Sequence, residues 1–131
     1  MLDITIITLP HAHQRYDTVG DYTSRIVHDF CITDEGVAVD EIMVSEQKDW
    51  RYEALIAVHE MVEMFLCRHR NISFDAIDAF DMNFNDPGKE PGDAPEAPYF
   101  NEHQFATRLE KEMAKELGVN WDDYEASCGL A

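Results

Sequence analysis

The first third of the chain spaces its apolar residues as strands do, and the remainder spaces them as helices do. Residues 2–9 (LDITIITL) are rich in Ile and Thr and stop at Pro10, which reads as a first strand. Its unbroken apolar character implies a strand covered on both faces. A polar loop then runs to Gly20 and carries His11, His13, Arg15 and Asp17. Residues 25–33 (RIVHDFCIT) alternate in character, Asp34-Glu35-Gly36 reads as a turn, and residues 37–45 return as a third strand. The two segments form a predicted hairpin in which Gly36 supplies the unusual backbone angle.

The longest helical pattern covers residues 49–70, with Ser45 or Asp49 as its cap and Asn71 as its stop. At about 100° per residue, Leu55, Val58, Met61, Val62, Phe65 and Leu66 gather on one arc, which predicts the buried face. A shorter helix is predicted over 73–80, capped by Ser73, with Ile77 and Phe80 facing in. Residues 86–98 hold four of the five prolines together with Gly88 and Gly92, which predicts a loop long enough to serve as a cover. A last helix over 101–117 has Asn101 as cap and Gln104 at the capping-box position. Its apolar stripe is Phe105, Ala106, Leu109, Met113 and Leu117, and Gly118 stops it. Trp121 and Tyr124 are expected to pack the tail onto the core. The predicted architecture is one α+β domain over residues 1–131, a small mixed sheet packed against a long central helix and a C-terminal helix.

Charge changes the picture most. Ten basic residues face twenty-seven acidic ones, a formal charge of −17. Thirteen acids and six bases fall in residues 1–70, fourteen and four in residues 71–131, so the excess is spread along the chain. Such a surface repels nucleic acid and anionic lipid, whose affinity for proteins comes from Lys and Arg. Neither is an expected partner. The acidity serves solubility, or else presents a nucleic-acid-like face to a basic protein partner.

Cys31, Cys67 and Cys128 are too few and too scattered for a disulfide framework, and fit a reducing compartment. The first ten residues lack the basic start of a secretion signal, and no apolar run approaches a membrane span. The expected location is the cytoplasm.

The candidate chemistry lies on the long helix. His59 and Glu63 are four residues apart and project to the same side, beside Leu55, Ile56 and Leu66. Glu60 sits about 100° around from His59, nearer solvent. An ionised carboxylate on a semi-buried face needs compensation, and a divalent cation shared with His59 would supply it. The plainer reading has His59 and Glu63 bonding each other, or pairing with Arg15, Arg68 or Arg70.

The segment His59-Glu60-x-x-Glu63 resembles the zinc helix of the zincin-type metallopeptidases, HExxH, with Glu in place of the second His. The preceding sheet is also similar to the zincin arrangement, so the resemblance covers about residues 36–70. It implies a metal-dependent hydrolase acting on a peptide or protein substrate. His59 would be the first ligand, Glu63 would stand at the second-ligand position, and Glu60 would be the general base. Zinc is the expected metal, and carboxylate in place of imidazole shifts the preference toward manganese or iron. A further helix should give the third ligand, for which His103 is the first choice and Asp78 and Asp81 are rivals.

The same acids allow another reading. Glu60-x-x-Glu63 with Asp78-x-x-Asp81 resembles the ExxE…ExxD pairing of all-α nucleoside-triphosphate pyrophosphohydrolases, which implies magnesium held against a triphosphate. Asp78 departs from that pattern, and no cluster of bases is present for the phosphates. A third reading is a non-enzymatic acidic binding protein. Size and charge suit an accessory protein of bacterial or phage type.

Overall fold

The computed structural model describes residues 2–29 and 33–129. Three strands form one sheet in the order β1-β3-β2, with β1 at Ile4–Leu9, β2 at Gly20–Asp29 and β3 at Thr33–Ser45. Strand β1 runs parallel to β3, in register from Ile4 opposite Asp40 to Leu9 opposite Ser45. Strand β2 runs antiparallel to β3 from Gly20 opposite Val44, with an irregularity between Val27 and Asp29. The sheet is therefore small and mixed, and the fold is α+β.

Three strand expectations need correcting. Strand β1 is an edge rather than a covered strand: four of its six residues are exposed, Ile6 and Ile7 among them. Among the described residues its exposed side chains meet no second layer, so apolar composition here does not report burial. Strand β2 begins at Gly20, not residue 25, because Asp21, Thr23 and Ser24 disguise its start as loop while Asp21 and Tyr22 are buried. Asp34, Glu35 and Gly36 belong to β3, and the connection between β2 and β3, with Cys31, lies outside the described residues.

Helix α1 spans Trp50–His69. The Asp49 side chain caps it by accepting from the Arg51 amide. It ends with Asn71 at φ 55°, where the Ile72 amide donates back to the Cys67 carbonyl at 2.9 Å and the Asn71 amide to that of Arg68 at 3.3 Å. That pair of bonds closes the orphan carbonyls, and Asn is among the few side chains that tolerate the left-handed angle. Helix α2, Phe74–Asn83, is capped by Ser73 and buries Ile77. Helix α3 is Phe100–Glu116, and the short helix α4, Trp121–Ser127, carries the buried Tyr124. The sequence pattern did not predict α4 as a helix. Among the described residues no helix is long and apolar enough to cross a membrane.

The buried faces of the two long helices are shifted from those the apolar pattern indicates, with Leu55 and Ala106 common to both. On α1 the buried residues are Leu55, Ile56, Ala57, His59, Glu63, Met64 and Cys67, while Val58, Met61, Val62, Phe65 and Leu66 are half-buried. His59 and Glu63 lie on that buried face, not at its edge. On α3 the buried residues are Glu102, His103, Ala106, Glu110 and Ala114, whereas Phe105, Leu109 and Met113 stay exposed. Asn101 caps nothing, since the helix starts one residue earlier, and Gln104 donates to Asp93 at 3.3 Å instead.

The core gathers Tyr22, Ile42 and Val44 from the sheet with Leu55, Ile56 and Met64 of α1 and Ile77 of α2. Arg68 of α1 reaches the fully buried Asp40 of β3 at 2.6 Å and ties the helix to the sheet. Leu55 has no exposed surface and Leu109 is 39% exposed. Leu55→Ala should therefore lower stability by about 2–5 kcal/mol, and Leu109→Ala by less than about 1 kcal/mol. Urea unfolding of the two variants measures the contrast, and equal losses would mean that the apolar stripe of α3 is the packed face.

Candidate metal centre

Helices α1 and α3 lie antiparallel, fixed by a contact at each end. Arg51, at the start of α1, donates to the Leu117 carbonyl at 3.1 Å, and Arg70, just past its end, donates to Glu102 at 2.6 Å. The inward face of α3 is spaced His103, Ala106, Glu110, Ala114, with alanines at two of the four positions. The small side chains let the helices approach, and the polar ones meet His59 and Glu63 across the gap.

Three ligand-type atoms converge there. His59 Nε2 lies 3.2 Å from Glu63 Oε2 and 3.1 Å from His103 Nδ1, and the last two are 2.9 Å apart. A divalent first-row ion bonded at roughly 2.0–2.2 Å with angles near 90–110° holds its ligand atoms roughly 2.8–3.6 Å apart. The triangle has that size. All three residues are buried.

The outer ring atoms decide which electrons point inward. His59 Nδ1 stands 2.8 Å from Glu110 Oε1, and the Tyr124 hydroxyl donates to the other oxygen of Glu110 at 2.5 Å. His103 Nε2 stands 3.1 Å from both Glu90 Oε2 and Asp93 Oδ1. Neither carboxylate is aligned for a hydrogen bond, so attraction of charge rather than a directed bond holds that nitrogen. Carboxylate thus stands at the outer nitrogen of each ring, bonded at His59 and unaligned at His103; a neutral ring with its proton outward would turn an unshared pair toward the triangle. Without a cation, the inner nitrogens bond Glu63 only as N–H donors.

Such a cluster must take up positive charge. Burial opposes charging His59, yet the bonds to Glu110 and Glu63 outweigh it and raise its pKa well above the ordinary value. The same contest ends the same way at His103, where Asp93, Glu63 and Glu90 oppose burial and raise the pKa. At Glu63 burial works to raise the pKa, but His103 and His59 hold it at about 2. Protons can satisfy this arrangement, and so can one divalent cation.

A narrow cavity of about 40 Å³ opens beside the triangle, lined by Glu60, Glu63 and His103 along with Asp21, Asp78 and Asp81. Glu60 packs against Gly20 at the start of β2, where a Cβ would come within 2.7 Å of its Oε1. Burial, then the neighbouring charge of Glu63, raises its pKa well above the ordinary carboxyl value. Asp78 and Asp81 line the cavity without joining the triangle. Tyr16 donates to Asp78, which also pairs with Arg15 at 3.3 Å, while Tyr99 donates to Asp81 at 2.5 Å. Burial pushes Asp81 up to about 6.

The arginines set against the metal reading go elsewhere: Arg15 binds Asp21 at 2.7 Å, Arg68 binds Asp40 and Arg70 binds Glu102. His11 bonds Ser45 and Asp17 away from the triangle, and His13 is exposed. Cys67 is buried and free, its thiol pushed up to about 12 by burial. The sequence reading missed Glu90, Asp93, Glu110 and Tyr124. Glu110 was findable in principle, since it lies seven residues from His103 on the same face of one helix. The loop acids carry no comparable spacing signal.

The loop over 86–98 covers the triangle through Pro91 and Gly92, both buried. A Cβ on Gly92 would lie 2.4 Å from the His103 ring, closer than packed atoms allow, although its backbone angle is ordinary. Gly92→Ala should push the loop off His103 and cost about 1–3 kcal/mol, read as a lowered urea midpoint. An unchanged midpoint would show that the loop does not bear on the ring. No family model matches this chain, and no curated protein or solved structure matches it.

Proposed function

We propose that the chain is a metal-dependent hydrolase of zincin type, holding one divalent ion on His59, Glu63 and His103. The observation that carries this reading is the buried convergence of two imidazole nitrogens and one carboxylate oxygen, each imidazole backed by carboxylate on its far side. Carboxylates behind ligand imidazoles are what orient and strengthen them as donors. Zinc suits the set, and manganese or iron suit its carboxylate share.

A bound ion would supply Lewis acidity and lower the pKa of a water. The protein's own groups divide the remaining work. Glu60, next to His59 in sequence and on the wall of the cavity, would take the proton from that water and pass it to the leaving group. Glu110, held by Tyr124, fixes the tautomer and orientation of His59. Pro91 and Gly92 limit the access of bulk water. A peptide or protein bond is the proposed substrate. The triphosphate reading finds less support, because the one guanidinium on the cavity wall, Arg15, is committed to Asp21 and Asp78.

Protein purified without a chelating tag should carry about one equivalent of zinc, manganese or iron, and His59→Ala should lose it. Glu60→Gln should keep the metal while hydrolysis of a casein or peptide-library substrate falls about 10²–10⁴-fold. Elemental analysis beside turnover measurements separates the outcomes. No metal after incubation with all three ions would overturn the site, and metal without turnover would leave a binding or structural role.

Glu110→Ala tests the support behind His59 separately. Metal affinity should fall about 10–100-fold by competition with a chromophoric chelator, with the fold kept by circular dichroism. Unchanged affinity would remove Glu110 from the site.

A further inference from the structure

The cavity beside the triangle has a chemistry of its own. Its wall carries Asp21, Asp78, Asp81 and Glu90 as well as Glu60 and Glu63, against a single guanidinium, Arg15. Between the carboxylates stand aromatic rings: Tyr16, Tyr22, Phe74 and Tyr99. Carboxylates interleaved with aromatic faces bind organic cations, by charge at the rim and by attraction to the ring faces.

Two independent observations point to such a ligand. Arg15 shows what the wall accepts: its guanidinium lies 4.9 Å from the centre of the Tyr16 ring and 5.6 Å from that of Phe74, and it grips Asp21 with two nitrogens. Tyr22 is 6% exposed and lines the same cavity, yet among the described residues its hydroxyl has no aligned hydrogen-bond partner, only the weakly bonding Cys67 thiol beside it. A buried hydroxyl without an aligned partner is open to a donor group. Arg15 does not reach Asp81, whose side chain among the described residues is met only by the Tyr99 hydroxyl, so it keeps capacity for a cation.

We infer that this cavity recognises an ammonium or guanidinium group of the substrate and holds it against Asp81 while the reacting bond meets the triangle. This rests on the metal reading above and adds the substrate's charge. An anionic substrate is excluded by the same wall.

The test uses the full chain loaded with cobalt(II), whose visible absorption reports both the ion and any ligand reaching it. Three hydroxamates of equal length are titrated: 6-aminohexanohydroxamate, hexanohydroxamate and the monohydroxamate of adipic acid. The amine should bind about ten-fold tighter than the neutral probe and the acid weakest, with the preference shrinking in 1 M salt and in Asp81→Asn. Equal affinities, or tightest binding of the acid, would overturn the inference and leave the metal site standing. Cobalt absorption that no hydroxamate perturbs would do the same. Absence of a cobalt spectrum would remove the metal site and the inference with it. The wild-type series decides the matter even where the variant fails to fold.

Discussion

Everything around the gap between α1 and α3 follows from the difficulty of burying carboxylates there. Glu63 and Glu110 sit in the interface with His59 and His103, in a medium where unpaired charge is costly by several kcal/mol. Each acid is therefore matched to an imidazole, and each imidazole to a second acid. The alanines of α3, the antiparallel pairing and the seating of Gly92 on His103 all serve that close approach. An apolar filling of the same gap would pack with less difficulty than this polar cluster.

Where the sequence was legible, local chemistry decided the outcome. Asp49 and Ser73 cap α1 and α2 as their side chains suggest, and Asn71 ends α1 with the backbone angle that Asn tolerates. The prolines and glycines of residues 86–98 forced a loop, and the acid–base spacing on α1 drew attention to His59 and Glu63. The mixed α+β class followed from the change of rhythm between the two parts of the chain.

Where it was illegible, binary pattern and packing disagreed. Phe105, Leu109 and Met113 make the better apolar stripe, yet α3 buries the side carrying His103 and Glu110. A rule that sends large apolar residues inward fails on a helix whose inner face is given to polar residues and alanine. On α1 the half-buried Val58, Val62 and Phe65 show the same displacement. The helices that violate the pattern are the two that carry the candidate site. Glu90, Asp93 and Tyr124 lie far from α1 in sequence, and only the tertiary fold brings them near.

The open edge of β1 bears on how copies of this chain behave toward one another. Among the described residues no strand pairs its outer side, and Ile6 and Ile7 present apolar surface along it. Such an edge is a template for stacking strand on strand, and this one has no lysine or proline between Ile4 and Leu9 to blunt it. The guard is instead a long-range one: a charge of −17 repels a second copy before the edges can meet. Colloidal behaviour is thereby delegated to ionic strength and acidity, and the acid-rich composition protects a strand that carries none of the acid itself.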